Sequence, residues 1–261
     1  CIIPYARGRV RSRKKEDVVE EVRTLAGHGY REVVLTGIHL SSYGLEWKDE
    51  DGKQKEGLLD LIRAVHEVEG IERIRLGSLE PRIVTEEFAK ELASMPKICP
   101  HFHLSLQSGC DATLKRMNRR YDAAEYRKKC DLLRKYFDNP ALTTDVIVGF
   151  PQESEEEFEA SRAFVDGINF YETHIFKYSK RQGTKAAKME SQIQEQEKTR
   201  RSNIMLEMNR EKMQRYEEGW LGKKVEVLFE ETTERDGKNY VTGHTKEYLR
   251  IGIPCEPEQA E

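Results

Sequence analysis

Small and polar residues follow several short apolar segments of this sequence. The endings are Thr36-Gly37, Ser78-Leu79-Glu80-Pro81, Gln107-Ser108-Gly109 and Gly149-Phe150-Pro151. Hydroxyl, amide and carboxylate groups bind polar ligands through hydrogen bonds, and glycine allows a close approach to the backbone. If the apolar segments are parallel strands, these endings share the edge at which parallel α/β proteins bind ligands. The sequence therefore predicts a ligand site at that edge.

One segment also predicts which side chains face the ligand. Residues 101–107 alternate strictly between polar and apolar types. We expect Phe102, Leu104 and Leu106 to pack against helices, which turns His103, Ser105 and Gln107 towards the other face of the sheet. A polar inner face is typical of a binding cavity, because a filled barrel core carries Val and Ile there. Asp145 lies on a second candidate inner strand, although it could instead cap a helix.

The elements that position these residues alternate between strand and helix. Strands are predicted at 33–37, 74–78, 102–106, 144–149 and 173–176, and helices near 15–28, 57–69, 85–95, 121–137 and 154–166. The strands begin about 30 to 40 residues apart, which is the size of one βα unit. Such alternation predicts an α/β fold with a parallel sheet, either open or closed.

The C-terminal part has a different pattern. A polar helix over 192–217 is predicted to connect two domains. Beyond it, strand patterns at 224–229 and 240–243 flank a hairpin signal at Asp236-Gly237. About forty residues form a thin independent core, so we expect a truncated small β-barrel. The predicted domains are 1–217 and 218–261.

The amino-acid composition excludes several classes of protein. Of 261 residues, 37% are hydrophobic and 35% are charged, and the formal net charge is −3. No segment approaches the ~20 apolar residues of a membrane helix, and no signal peptide is visible, so we expect a cytoplasmic protein without membrane contact. The charge excludes a uniformly basic nucleic-acid binder.

Two local features stand out from this composition. Six of the nine residues 7–15 are basic, including Arg7, Arg9, Arg11 and Arg13, and none is acidic. The run could be a solvated loop that leads into a helix. The five cysteines form neither a disulfide framework nor a complete metal site. Because Cys1 stands where an initiator Met would, we expect the sequence to be part of a longer protein.

Long ordered motifs resemble the radical-SAM methylthiotransferases. They are the start Cys1-Ile2-Ile3-Pro4-Tyr5-Ala6-Arg7-Gly8-Arg9, then Leu106-Gln107-Ser108-Gly109, Thr144-Asp145-Val146-Ile147-Val148-Gly149-Phe150-Pro151 and Tyr178-Ser179-Lys180-Arg181-Gln182-Gly183-Thr184. The family holds a 4Fe-4S cluster in a Cys-x3-Cys-x2-Cys loop, and Cys1 matches its third cysteine. The resemblance implies a partial TIM-like parallel barrel that lacks its first strand, followed by a partial TRAM-like RNA-binding module.

The resemblance also implies cofactors and their contacts. S-adenosyl-L-methionine would be held beside the cluster at the carboxyl edge of the strands. The expected cofactor-binding residues are Gly37, Ser78, Glu80, Gln107, Ser108, Arg119, Asp145 and Gly149, and Cys1 is the expected cluster ligand. Plain alternatives stay open: Glu80 could end a strand, and Arg119 could form a structural ion pair. His39, His103 and His174 are interpreted as inner-face or core histidines rather than metal ligands.

Within the family, Val34-Leu35-Thr36-Gly37-Ile38-His39-Leu40-Ser41 is similar to the branch that adds a methylthio group to N6-threonylcarbamoyladenosine. The implied partners are a tRNA anticodon stem-loop and an electron donor. Arg7, Arg9, Arg11 and Arg13 would then contact RNA phosphates, and basic residues of the 192–217 helix would extend that surface. The alternatives are an enzyme that acts on isopentenyladenosine or a ribosomal-protein aspartate, and an RNA-binding scaffold without chemistry.

The family enzymes carry a second cluster in an additional N-terminal domain. The 261 residues hold one cysteine of the three-cysteine loop and nothing that matches that domain. We therefore expect these residues on their own to hold no stable cluster and to be inactive.

Overall fold

Five short β-branched segments form parallel strands. The computed structural model describes residues 2–52 and 54–255. The strands are β1 (Glu32–Leu35), β2 (Arg73–Leu76), β3 (His101–His103), β4 (Ala141–Val148) and β5 (Glu172–Lys177). β1 pairs with β2, and β3, β4 and β5 pair in that order. Parallel bridges from Ile74 to Ile98 and from Leu79 to Leu104 join the two groups, so the strands lie in chain order.

Helices connect these strands. They are α1 (Ile3–Arg7), α2 (Lys15–Gly27), α3 (Leu58–His66), α4 (Glu86–Ala93), α5 (Asp111–Arg116), α6 (Ala123–Tyr136), α7 (Glu155–Ile168) and α8 (Glu195–Glu218). The side chains of Thr85 and Ser154 cap α4 and α7, as predicted. Crossovers between neighbouring parallel strands are right-handed, which places the helices on one face of a sheet in chain order. This is the arrangement of an α/β barrel.

The main core lies between the strands and these helices. Phe102, Leu104 and Leu106 are fully buried, which confirms the predicted alternation in β3. The Tyr126 hydroxyl of α6 donates to the Leu104 carbonyl at 2.7 Å, so this face of β3 is the helix face. Each large buried side chain of this kind stabilises the fold by about 1.5–3 kcal/mol.

Helix α8 packs against the sheet and is more than a connector. Met205 is 1% exposed and belongs to the main core. The Asn209 side-chain oxygen accepts a hydrogen bond from the Thr173 backbone of β5 at 2.6 Å. The polar composition of α8 concealed this role, because few apolar residues carry its contact.

The C-terminal residues form a three-stranded antiparallel sheet. Its strands are β6 (Leu228–Arg235), β7 (Lys238–His244) and β8 (Arg250–Pro254). Asp236 and Gly237 form the predicted hairpin turn, and both have positive φ. β6 begins at Leu228 and not near 224, because the Glu226 carbonyl accepts a hydrogen bond from Arg73 instead of a strand partner. A β-barrel for this region stays a prediction.

Two buried arginines of β2 hold this small sheet against the parallel sheet. The Arg73 guanidinium donates to the His244 carbonyl at 2.8 Å, and that of Arg75 donates to the Lys246 carbonyl at 3.0 Å. Arg75 also lies 4.6 Å from the ring centre of Tyr248, which stacks on His101. Burial, aided by the positive Arg75, lowers the pKa of His101 to about 3, so the ring in this stack is neutral at pH 7.

Within residues 2–52 and 54–255, no helix is both long and apolar enough to cross a membrane.

Candidate active site at the carboxyl edge of the sheet

Gln107 lies where the chain leaves the sheet beside β4. Its backbone N–H donates to the Asp145 carbonyl at 2.8 Å, and its carbonyl accepts from the Ile147 N–H at 2.9 Å. The residue is 9% exposed and has φ +74°, in the left-handed region that favours glycine. A non-glycine residue in that region costs about 1–2 kcal/mol, so two β4 hydrogen bonds hold Gln107 in a strained conformation.

Polar side chains of three strands meet on the inner face. His103 Nε2 lies 3.2 Å from Asp145 Oδ2, and the rings of His103 and His174 stack with centres 5.6 Å apart. His103 Nδ1 lies 3.0 Å from Thr143 Oγ1. His103 Nε2 is nevertheless buried without a hydrogen-bond partner in the described chain. Its contact with Asp145 is therefore a close polar contact without hydrogen-bond geometry, and both side chains face the same inner surface.

The walls of this inner face are apolar and open. Val34 of β1 is 54% exposed and Phe176 of β5 is 52% exposed. Val34 lies between buried Val33 and Leu35, and Phe176 follows His174 by two residues along β5, so both lie on the same face as His103. A polar floor between apolar walls suits a planar ligand with polar edges.

Glu80 lies at the carboxyl edge of the sheet, beside the Ser41 hydroxyl. Its backbone N–H donates to Ser41 Oγ at 2.8 Å, which fastens the loop after β2 to the loop after β1. Both of its carboxylate oxygens accept from Arg82, one of them at 2.9 Å. Nearby, the Tyr121 hydroxyl donates to the Ser105 and Leu106 carbonyls, and burial raises its pKa to about 12.

Three of the predicted site residues are open to solvent. Ser78, Gly37 and Arg119 are exposed. A side chain added at Gly37 would meet nothing closer than 3.9 Å. Arg119 has no ion-pair partner within 2–52 and 54–255, so the predicted alternative of a structural ion pair has no support there.

Two other predicted residues face helices. Ser108 is fully buried, its hydroxyl accepts from the Cys110 N–H at 3.2 Å, and it lies 3.5 Å from Ser161 Oγ of α7. At Gly149, an added Cβ would lie 2.4 Å from Lys198 Cγ of α8. The space that Gly149 leaves is therefore filled by the Lys198 side chain. Ser108 and Gly149 both shape the carboxyl edge through packing.

The predicted basic run borders a groove. A cavity of about 830 Å³ is lined by residues of the 7–13 segment and by the loop after β1, including Thr36, Gly37 and His39. Arg13 pairs with Glu21. Arg7, Arg9 and Arg11 are exposed, and none has an ion-pair partner among the residues placed in the structure. Ser12, next to Arg11, accepts from the Gly44 N–H of the loop after β1 at 2.9 Å, so these three unpaired cations lie on a segment fastened to that loop.

The basic residues of α8 differ from this run in their ion pairing. Most of them form ion pairs: Arg200 with Glu155, Arg201 with Glu153, Arg210 with Glu207, and Lys212 with Asp166. The pairs with Glu153, Glu155 and Asp166 fasten α8 to α7 and the loop before it, whereas the Arg210–Glu207 pair lies within α8. RNA contacts along α8 stay a prediction, and these four residues are already engaged in ion pairs.

The described cysteines do not fit an iron–sulfur cluster. Cys99 and Cys130 are buried, and burial raises the pKa of their thiols to about 11 and about 12, which disfavours thiolate ligands. No group of three His, Cys, Asp or Glu residues in the described ranges could hold a metal ion. Cys1, the predicted cluster ligand, lies outside the described residues.

The fold and the polar edge agree with a family match. The sequence matches the model of the radical SAM superfamily over residues 1–165. This is more than half of the chain, so the chain belongs to the radical SAM superfamily.

The curated relatives narrow the comparison to methylthiotransferases, as the motifs predicted. The chain is 38% identical to the threonylcarbamoyladenosine tRNA methylthiotransferase of Bacillus subtilis, over 96% of this chain and 55% of the relative. It is 37% identical to a tRNA-2-methylthio-N(6)-dimethylallyladenosine synthase of Clostridium botulinum, over 94% of this chain and 53% of the relative. The chain thus spans about half the length of these relatives.

Solved structures support the fold. Coproporphyrinogen III oxidase from Escherichia coli, a radical SAM enzyme, superposes with a TM-score of 0.53 at 14% identity, covering 78% of this chain and 48% of its own. A radical S-adenosylmethionine methyltransferase from Kitasatospora setae gives 0.50 at 17% identity, covering 63% and 31%. At this identity the similarity concerns the fold alone.

Proposed function

We propose that the chain is the radical-SAM core of a tRNA methylthiotransferase that acts at C2 of N6-threonylcarbamoyladenosine next to the anticodon. One observation carries the proposal. Gln107, His103 and Asp145 meet at the inner face and carboxyl edge of a parallel sheet in a chain of the radical SAM superfamily. The names of the two relatives supply the reaction class.

The choice of modified nucleoside rests on a motif. The segment Thr36-Gly37-Ile38-His39-Leu40-Ser41 is similar to the threonylcarbamoyladenosine branch, and its first five residues line the groove beside β1. The dimethylallyladenosine branch is the second candidate, because a relative of that branch is 37% identical.

The edge residues fit S-adenosyl-L-methionine. Ser78, Glu80, Gln107, Arg119 and Asp145 offer a hydroxyl, two carboxylates, an amide and a guanidinium for its amino, carboxylate and ribose groups. Exposed Val34 and Phe176 offer apolar surface for its adenine. Gly37 leaves space for the ligand, and Ser108 and Gly149 act by positioning the edge. When bound with the cluster, this cofactor supplies the radical chemistry.

The cluster is proposed to bind through Cys1, with two further cysteines of the longer protein. A second cluster would belong to the whole enzyme. The 261 residues on their own hold only one ligand of this loop, and we expect them to retain no stable cluster. Anaerobic reconstitution with iron and sulfide checks this expectation. Visible absorbance from one cluster per chain, retained through gel filtration, would contradict it.

Arg7, Arg9, Arg11 and Arg13 are proposed to contact tRNA phosphates at the mouth of the site. Arg7, Arg9 and Arg11 are the better candidates, since Arg13 is paired with Glu21. An electron donor is a further proposed partner, and the tRNA substrate implies a cytoplasmic location.

A gene deletion tests the proposed function. We expect tRNA from the deletion strain to lack 2-methylthio-N6-threonylcarbamoyladenosine, as read by mass spectrometry of nucleosides. The intact gene should restore the nucleoside. A Gln107→Leu gene should restore roughly a tenth or less, because loss of a ligand hydrogen bond in a buried site costs about 1–3 kcal/mol.

Gln214→Leu is the matched control, because the Gln214 amide is exposed on α8 and donates to Glu218, and this gene should restore most of the modification. Loss of the 2-methylthio group from dimethylallyladenosine instead would select the second branch. Unchanged tRNA in the deletion strain would reject both.

A further inference from the structure

The loop after β5 carries an unpaired basic cluster. Residues 178–189 contain four basic residues and no acidic one. The four are Lys180, Arg181, Lys185 and Lys188, which we call the β5 loop cluster, and all are exposed. None of them has an ion-pair partner in the part of the chain that the structure describes.

The loop holds this cluster in an ordered conformation. Gly183 makes the turn with φ +81°. The hydroxyl of buried Thr184 donates to the Arg181 carbonyl at 2.7 Å and accepts from the Ala187 N–H at 3.2 Å. The Gln192 amide donates to the Ala186 and Met189 carbonyls. Neutral polar side chains thus fix the backbone, and the four cations are left free to bind an anion at low cost in entropy.

The cluster lies at the same edge as the candidate active site. The Tyr178 N–H donates to the Val148 carbonyl at 2.9 Å, and the Tyr178 ring packs on Phe150 with centres 5.3 Å apart. The loop therefore starts over the carboxyl ends of β4 and β5. The segment that carries Arg7, Arg9 and Arg11 lines the groove beside β1, at the opposite edge of the sheet, and its Ser12 accepts from the Gly44 N–H of the loop after β1 at 2.9 Å. Four strand intervals separate β1 from β5, which is roughly 19 Å in a flat sheet and less in a curved one.

The neighbouring helix shows that this lack of pairing is local. Lys198 and Arg200 of α8 lie close by in sequence, and each forms an ion pair with a glutamate. Acidic partners are thus supplied where cations have a structural role. Two unpaired basic groups flank the site in a chain whose net charge is −3. This distribution attracts a polyanion to the mouth of the site.

We propose that the β5 loop cluster binds the phosphate backbone of the tRNA and forms, with Arg7, Arg9 and Arg11, a two-sided clamp around the carboxyl edge. This inference rests on the proposed tRNA substrate and adds a second contact surface to it. Contacts on both sides fix the orientation of the RNA over the inner face, which one basic run cannot do.

The test compares two triple variants of this chain. Lys180→Gln/Lys185→Gln/Lys188→Gln removes three charges from the cluster and retains the side-chain stems. The control variant is Lys90→Gln/Lys128→Gln/Lys129→Gln, which removes three lysines from α4 and α6 on the helix face. These three lysines have no ion-pair partner among the described residues. Dissociation constants for an anticodon stem-loop RNA are measured between low and physiological salt, and thermal melting checks that both variants are folded.

The loop variant should bind roughly tenfold or more weakly, and the slope of log K against log salt should fall in magnitude by about 2. The control should retain the wild-type slope. The clamp would be overturned if the wild-type protein binds RNA with a salt-dependent slope and the loop variant binds as tightly as the control. The proposed function would not be affected by that result.

Two further outcomes separate the proposals. If the wild-type chain binds neither the stem-loop nor whole tRNA, both the clamp and the proposed tRNA substrate fail. If poly-glutamate competes as well as RNA and its binding is lost equally in the loop variant, the cluster is a site for acidic protein segments and the clamp is rejected.

Discussion

Replacing Arg201 with Met is expected to destabilise the protein by about 3–5 kcal/mol, because it leaves a buried carboxylate without its partner. Arg201 and Glu153 are 5% and 2% exposed at their side chains, and Nη1 lies 2.8 Å from Oε2. Glu153 also accepts from the Gly149 N–H at 2.7 Å, so this carboxylate fixes the loop after β4. The ion pair therefore joins α8 to the edge of the site.

The change is read by thermal or urea denaturation. A loss of this size should lower the melting temperature by roughly 10 °C in a domain of this length. Arg200→Met is the matched control one residue earlier. Arg200 is 45% exposed, and its pairs with Glu155 and Glu197 should contribute under about 1 kcal/mol. Equal effects of the two substitutions would show that burial of the Arg201 pair does not matter.

Replacing Arg75 with Met is expected to release the C-terminal sheet and cost about 3 kcal/mol. The Arg75 side chain is 4% exposed. Its guanidinium donates to both Glu32 oxygens, at 2.8 and 3.2 Å, and to the Lys246 and Thr245 carbonyls. Methionine retains an apolar stem but leaves Glu32 with Arg73 alone, 3.9 Å away.

Hydrogen exchange locates this effect. We expect amides of β7 and β8 to exchange at least about tenfold faster, since local opening of the small sheet becomes easier by more than 1.4 kcal/mol. Arg250→Met is the control, because its pair with Glu231 is exposed at 58% and 60%. If the amides of β7 and β8 keep their wild-type protection from exchange, Arg75 does not hold the C-terminal sheet in place.

Periodicity predicted most of the parallel sheet and its helices. Alternation located β3, and the capping signals at Thr85 and Ser154 located the starts of α4 and α7. Two helices were missed: α1 has five residues and α5 has six, which is too short for a helical period to show. The late start of β6 depends on Arg73, far away in sequence, and no local pattern reports such a contact.

The candidate site was predicted in part. Strand alternation placed His103 on the inner face, and the structure brings it to Asp145 and His174. The pattern could not be continued to Ser108, because the left-handed backbone at Gln107 turns the next residue towards α7. In α8, Glu197 and Arg201 lie four residues apart and form an ion pair, whereas the buried partner Glu153 lies 48 residues from Arg201, and no local pattern reports that contact.

The left-handed backbone at Gln107 creates a conflict between folding stability and the proposed ligand binding. Glycine at this position would adopt φ +74° without steric cost and would make the folded chain more stable. It would also remove the amide that we assign to the ligand. Under the proposed function, the Gln107 amide therefore gains ligand binding at the expense of folding stability.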